Sequence, residues 1–363
     1  MITPRIEIDL GKIEHNAKKV KNLYASKGIH ISGVTKVVCG DPRVAAALQK
    51  SGIESFGDSR MANIRRLHSA GIEAPFMLIR TPIPSQVQSV VQHTFMSLNS
   101  ELSVIKGLSK SAIEQNKIHK IILMVELGDL REGLMPTDLA DIIEVILGLK
   151  GIKLAGIGTN LACLGGIKPN DQKMGYLSDL AEEIEGKFSL TLEFVSGGNS
   201  ANYNWFIGTK NVGRINHLRI GESIFLGCET LDRKRIPGLF TDAFTLVAEV
   251  IESKIKSSVP VGEVHQDAFG RTPKFQDRGP IRRVILGVGV QDVLVTGLTP
   301  RKDIDVIGTS SDHMILDAKE TDLQVGNEVA FDFNYGALLM AMTSPYINKQ
   351  YKESKWMPKD TAK

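Results

Sequence analysis

Along the first two-thirds of the chain, short apolar runs of strand length alternate with longer stretches of helical spacing. The runs are HISGVTKVV (30–38), IESFG (53–57), PFMLIR (75–80), TFMSLN (94–99), KIILMVEL (120–127), KLAGIGTNL (153–161), LTLEFVS (190–196) and INHLRIG (215–221). Between them lie DPRVAAALQKSG, SELSVIKGLSKSAIEQN, MPTDLADIIEVILGLKG and NDQKMGYLSDLAEEIEGK. Asp41 before Pro42, and Pro136 before Thr137, mark helix starts, and Gly151 marks a helix stop. Eight strands, each followed by a helix or a short loop, predict an α/β fold of the (β/α)8 TIM-barrel kind, as opposed to an open doubly wound sheet.

After about residue 236 the pattern changes. FTLVAEVIESKIKSSVPV, RRVILGVGVQDVLV, DIDVIGTSSDHMILDA and NEVAFDF are β-rich and separated by Gly, Pro and Asp turns, with no long helical pattern until about residue 336. The expected division is therefore a barrel over residues 1–235 and a C-terminal all-β domain over 236–363. The alternating PRIEIDL near the N-terminus is a candidate to join the second domain, from residue 5 to residue 10. The last residues, YKESKWMPKDTAK, are polar and read as a frayed end.

Composition narrows the function classes. With Lys plus Arg at 44 and Asp plus Glu at 41, the net charge is only +3, which gives no electrostatic footprint for nucleic acid. Three widely spaced cysteines, Cys39, Cys163 and Cys228, form no CxxC pair and suit a reducing cytoplasm. The N-terminal segment has no apolar stretch of signal-peptide length, and no run has the ~20 apolar residues of a membrane helix. The eight histidines show no metal-ligand spacing, so no metal is expected.

One residue interrupts the apolar texture. Lys36 lies near the end of the first apolar run, and barrel sites are built at the C-terminal ends of strands. Such a lysine either carries its amine to water or pairs with a carboxylate, or else acts as a nucleophile once desolvated. The run alone leaves both readings open.

IEIDLGKIEHNAKKV, then Lys36 after a short strand, then GDSRMANIRRLHSAGI, resembles the alanine racemase family of pyridoxal-phosphate (PLP) enzymes, in the order that family shows them. Within it, GTNLACLGG, QDAFG, RRVILGVGVQDV and SSDHMILD resemble the ornithine racemase branch most. The resemblance spans nearly the whole chain and implies a barrel followed by a β domain, PLP as cofactor, and a homodimer with shared active sites. It implies that Lys36 binds PLP covalently and later moves a proton on one face of the substrate. It matches Arg219 to the arginine at the pyridine nitrogen, which an always-protonated guanidinium suits as a donor. Ser200, Gly221 and Glu222 fall where the phosphate is held, Ser200 in a Gly-rich turn that opens a helix. Tyr335 matches a β-domain tyrosine that reaches the phosphate, and Arg131 an arginine at the ring hydroxyl and the substrate carboxylate. Asn160 stands where the family has a histidine beside the ring, and its amide retains hydrogen-bonding capacity. Taken singly, SGGNS also reads as an ordinary turn, Tyr335 as a core tyrosine, Arg131 as a solvated charge and Arg219 as half of an ion pair.

The resemblance breaks at one place. The family's second proton carrier is a tyrosine from the partner's β domain, and its position here is read as Val290, which cannot move a proton. Asp312 and His313 in SSDHMILD are the leading replacements, with Asp267, Asp292 and Cys163 behind them. His313 reads equally well as a solvent-facing strand residue. Asp267, Asp292 and Asp312 are also candidates to hold a cationic substrate side chain. The expected activity is the interconversion of L- and D-ornithine, with lysine as a further substrate. The competing readings are a broad-specificity or alanine racemase, another enzyme of the same PLP fold, and a non-catalytic PLP carrier.

Overall fold

The structure is a computed structural model that describes residues 2–354. The chain divides into two compact units, one of residues 10–241 and the other of residues 2–9 with 242–354.

The strand β1 (Arg5–Asp9) belongs to the second unit. The first unit is a closed parallel barrel of β2 (His30–Val34), β3 (Phe56–Asp58), β4 (Phe76–Leu78), β5 (Met96–Asn99), β6 (His119–Met124), β7 (Ile152–Gly158), β8 (Phe194–Ser196) and β9 (His217–Ile220). All eight apolar runs hold a barrel strand. The strands are buried along almost their whole length, as a barrel sheathed by helices demands. One buried cluster joins Met77, Met96, Leu98, Ile122, Met124 and Ala155 across β4 to β7.

Two of the barrel helices begin where an amide of the first turn finds a side-chain acceptor. Asp41 accepts from the Val44 amide at 3.0 Å and opens the helix Pro42–Lys50. Asn170 accepts from the Lys173 amide at 2.9 Å and opens Asp171–Phe188. Pro136 starts a 3₁₀ turn that runs into the helix Leu139–Leu147. That helix stops before the expected Gly151, which instead takes a φ of +75° in the turn into β7. Residues 236–241 stay with the barrel unit, beyond the expected boundary at 235. The Ile236 amide donates to the Gly227 carbonyl at 2.9 Å, and the buried Asn16 side chain takes the Phe240 amide at 2.8 Å.

The second unit is an eight-stranded sheet. Its further strands are β10 (Phe244–Ser257), β11 (Pro280–Leu286), β12 (Leu298–Pro300), β13 (Asp305–Thr309), β14 (Met314–Asp317), β15 (Glu328–Phe333) and β16 (Asn348–Lys352). The order runs β12-β15-β10-β11-β14-β13. A register shift between Val250 and Glu252 lets β10 pair with β1 and β15 in its first half and with β11 in its second. β1 lies between β10, antiparallel to it, and β16, parallel to it. β16 corrects the reading of the C-terminal segment. Tyr351 and Lys352 are ladder residues opposite Ile8 and Asp9, while 355–363 fall outside the described residues. Among the described residues, no helix is long and apolar enough to cross a membrane.

Candidate functional site at the C-terminal ends of the barrel strands

Lys36 is not a strand residue. It is half-buried and opens a 3₁₀ turn, Lys36–Val38, immediately past β2. The turn closes with Cys39 at φ +56° and Gly40 at φ +59°. A Cβ on Gly40 would meet the Cβ of Asn63 at 2.7 Å, so glycine is required there for space as well as for its dihedral. Below the turn, Thr35 donates its hydroxyl to Asp58 Oδ2 at 2.8 Å. Asp58 Oδ1 also accepts from the Arg60 amide at 2.9 Å and from Asn63 Nδ2 at 3.0 Å. Burial raises the pKa of Asp58, and these donors oppose the rise. A buried carboxylate thus fixes the residue before Lys36 and the residue packed on Gly40.

β9 pairs with β2, with Arg219 in register with Ser32. This puts Arg219, on β9, and the Lys36 turn, which follows the adjoining strand β2, at the same end of the barrel. Arg219 is 4 % exposed. Its Nη1 donates to Ser196 Oγ, and its Nη2 donates to the Thr159 carbonyl at 2.7 Å and to Asn160 Oδ1 at 3.4 Å. Among the described residues no carboxylate is within ion-pair distance of it. Burial pushes its pKa down to about 10, with Glu132 working against the shift, so the guanidinium is charged at neutral pH. A buried cation held only by neutral acceptors can accommodate an electron-rich ligand atom.

The turns after β8 and β9 are built together. Asn199 takes the Ala201 amide at 2.8 Å, and Asn202 returns a bond to the Asn199 amide at 3.0 Å, a capping box that opens the turn Ser200–Asn202. Asn199 Nδ2 donates to the Leu161 carbonyl at 2.9 Å and to Asn160 Oδ1 at 3.1 Å, tying this turn to the loop after β7. Ser200 Oγ accepts from the Ser223 amide at 3.2 Å, next to Gly221 and Glu222 at the start of the helix Glu222–Leu226. A Cβ on Gly221 would stand 2.9 Å from the Val34 carbonyl oxygen. The Glu222 carboxylate pairs with Arg233. Two buried polar atoms here, Asn160 Nδ2 and Ser223 Oγ, have no partner among the described residues.

Arg131 lies on the loop after β6, with its guanidinium on Glu132 and its Nη1 2.8 Å from the Sγ of the exposed Cys163. Burial opposes the Arg131 charge, but the bonds to Glu132 outweigh it and hold its pKa above the arginine norm. The buried Asp129 accepts from the amides of Cys163 and Leu164 at 3.2 and 3.0 Å, which fixes that pair of loops.

The remaining sequence candidates belong to the second unit. Tyr335 is the first residue of the helix Tyr335–Thr343, capped by Asn334. Asp312 and His313 are exposed in the β13–β14 hairpin, Asp312 bonded to Gln291 and His313 Nδ1 3.2 Å from Ser310 Oγ. Val290 borders that hairpin, its amide donating to the Ser310 carbonyl at 3.0 Å. Asp267 is exposed in a turn, where the Arg271 amide first and the Phe269 amide with it lower its pKa. Asp292 differs from its expected role. It is 5 % exposed and accepts from Ser344 Oγ at 2.8 Å, a structural use inside its own unit.

Sequence reasoning missed Asp58, Asn199 and Thr159. The GD dipeptide before SRMAN is the signal for Asp58, and Asn199 lies inside SGGNS.

A closed parallel barrel with a lysine turn after its first strand, a buried arginine in its last and linked polar turns beside it defines a barrel protein whose site lies at the strands' carboxyl ends. Residues 8–228 match the alanine racemase N-terminal domain, and the chain belongs to the alanine racemase family. It is 42% identical over 357 residues to a lysine racemase of Thermotoga maritima, covering 98% of this chain and 100% of the relative. It is 39% identical over 351 residues to an ornithine racemase of Acetoanaerobium sticklandii, covering 96% and 99%. Among solved structures it resembles an alanine racemase from Bartonella henselae with covalently bound pyridoxal phosphate. The TM-score there is 0.73 at 17% identity, over 97% of this chain and 100% of that one.

Proposed function

We propose that this chain is a PLP-dependent racemase of basic amino acids, acting on ornithine and lysine. The observation that carries the reading is the placement of Lys36, in the turn that follows β2, and the buried, charged Arg219, on the adjoining strand β9, at one end of the barrel. The lysine racemase and ornithine racemase relatives support the substrate class. The residues present fit the cofactor. Among the described residues Arg219 is a buried donor without a carboxylate, the backbone at Gly221 packs against the Val34 carbonyl as only a residue without a Cβ can, and Asn160 Nδ2 and Ser223 Oγ are buried polar atoms without a protein partner. Ser200, Gly221, Glu222 and Tyr335 are assigned to the phosphate, and Asn160 and Arg131 to the ring and the substrate carboxylate. When bound, PLP supplies an electron sink that stabilises negative charge at the substrate's α-carbon.

The chain's own groups do the rest. Lys36 takes up or returns the α-proton on one face of the substrate. Arg219 stays protonated and donates, so it does not hand its proton to the ring. Arg131 is a planar donor for the substrate carboxylate. His313 and Asp312 are assigned as the proton carriers opposite Lys36, contributed by a second copy in a cytoplasmic homodimer. Racemisation needs such a group, because inversion returns the proton to the face opposite the one that lost it.

The test is incubation of the PLP-loaded protein with each enantiomer of ornithine, lysine and alanine, followed by chiral chromatography. Interconversion of ornithine or lysine well ahead of alanine is expected. Faster turnover of alanine, or none of the three, overturns the reading. Deuterium exchange at the α-carbon of L- and D-ornithine in His313→Ala and Asp312→Asn tests the second carrier. Exchange at the parent rate from both enantiomers in both variants moves that role elsewhere.

A further inference from the structure

Inside the barrel, two residues before Arg219 on the same strand, stands a histidine that no role above uses. His217 is 3 % exposed, and both ring nitrogens are engaged. Nδ1 is 2.8 Å from Ser196 Oγ, and Nε2 is 2.9 Å from Ser32 Oγ, itself 2.7 Å from Ser55 Oγ. Ser196 is also the serine that Arg219 Nη1 holds. Three neighbouring strands, β8, β9 and β2, thus contribute a polar line from Arg219 to Ser32, which continues to Ser55 just before β3.

The proton positions follow from donor capacity. A guanidinium only donates, so Ser196 Oγ accepts from Arg219. The single Ser196 proton then has His217 Nδ1 as its acceptor. Nδ1 is therefore bare, Nε2 carries the ring proton and gives it to Ser32, and Ser32 donates to Ser55. The reverse direction leaves the Ser196 proton with no acceptor among the described residues. Burial first, and Arg219 with it, push the His217 pKa down to about 3, so the ring is neutral. A cationic ring would force Ser196 to accept from two cations at once.

We propose that His217 is a positioning residue for Arg219, acting through the Ser196 hydroxyl, which it turns so that a lone pair faces the guanidinium. The arginine's aim into the site is then set by a residue that does not itself reach the site. This rests on the proposed assignment of Arg219 to the cofactor.

The experiment uses the full-length protein with His217→Leu, His217→Gln, His217→Asn, Ser196→Ala and the double variant Ser196→Ala/His217→Leu. Asn places an amide oxygen near the Nδ1 position and can still take the Ser196 proton. Gln reaches the Nε2 position and cannot. Two quantities are read. One is the PLP dissociation constant with the absorption maximum of the bound cofactor. The other is the nitrogen-15 NMR signal of the Arg219 guanidinium in the cofactor-free protein, assigned with Arg219→Lys.

Leu, Gln and Ser196→Ala are expected to weaken PLP binding about tenfold, to shift the absorption maximum and to alter the Arg219 signal. Asn is expected to stay within about twofold of the parent. The double variant should be no worse than either single change, because both cut one line. Parent-like binding and an unmoved Arg219 signal in His217→Leu overturn the proposal, as does full additivity in the double variant. Should His217→Leu not fold, Ser196→Ala, which removes only a hydroxyl, carries the same test. If the parent takes up no PLP, the cofactor reading fails, and the Arg219 signal still decides for or against the relay.

Discussion

Thr35 and Asp58 are joined by a buried 2.8 Å hydrogen bond one residue before Lys36. The bond fixes the backbone from which the lysine departs. Asp58→Asn replaces one of two acceptor oxygens with a donor that would face either Thr35 or the Arg60 and Asn63 donors. We expect a stability loss of about 1–3 kcal/mol by urea denaturation, with slower covalent capture of PLP by Lys36 in stopped-flow absorbance. Thr35→Val, which keeps the shape, should cost less. Capture at the parent rate in Asp58→Asn would show that the turn holds itself.

Gly221 is a steric test. Its φ is −136°, which any residue tolerates, but a Cβ would press on the Val34 carbonyl, and backbone cannot swing aside. Gly221→Ala should cost on the order of 1–3 kcal/mol and weaken PLP retention in equilibrium dialysis. Gly71, where an added Cβ meets nothing within 4 Å, is a poor control because its φ is +76°. Gly186, in a helix with open space around it, is the better one. Gly186→Ala should leave retention unchanged.

Two buried histidines make the barrel acid-sensitive. Burial lowers His119 to about 4 and His217 to about 3. Both are neutral in the folded state and take up protons on unfolding once the pH drops below the ordinary histidine pKa near 6.5. Stability is therefore full above that value and declines as pH falls toward the folded-state values, by about 2 kcal/mol per histidine at pH 5. Urea midpoints at pH 7.5 and pH 5 measure the fall, and His119→Asn should shrink it by one histidine's share. An unchanged pH dependence in that variant would assign the sensitivity to other groups.

Arg5 anchors the first strand of the sheet. It is 4 % exposed and bonds both Glu328 oxygens, at 2.5 and 2.7 Å, and Glu7 at 2.9 and 3.1 Å. Arg5→Met leaves two carboxylates without their shared cation. Because Glu328 is partly solvated, the expected cost is about 1–3 kcal/mol, below that of a fully buried pair. Differential scanning calorimetry reads it, and an unchanged melting temperature would show that solvent compensates.

The barrel strands are legible in the sequence because parallel strands covered on both faces leave nearly unbroken apolar runs. Lys36 stands out for the same reason, as a charge where the texture is apolar. The turn it sits on is not legible. It depends on Asn63 packing against Gly40 and on Asp58 reaching Thr35, contacts across separate βα units that no local spacing encodes. The His217 line is hidden in the same way, since only the pairing of β8, β9 and β2 brings Ser196, His217 and Ser32 together. Asp292 shows the converse. As a sequence letter it is one more loop aspartate, and only burial against Ser344 reveals a structural use. β16 escapes notice because NKQYK is polar and partly exposed, held by the β1 ladder and not by an apolar face.

The pairing of β1 with β10 and β16 has a consequence for biosynthesis. During synthesis β1 has no partner until the entire barrel sequence has followed it, since Ile6 pairs with Leu246 and Arg5 with Asn348. At ~5–20 residues per second, that is a wait on the order of ten seconds or more. The barrel, whose neighbouring strands are mostly consecutive, can close during that interval. The sheet can close around β1 only when both flanking strands, β10 and β16, have emerged. A nascent chain stalled before β10 would thus carry an unpaired RIEID strand beside a finished barrel, exposed to chaperones and to strand-adding neighbours.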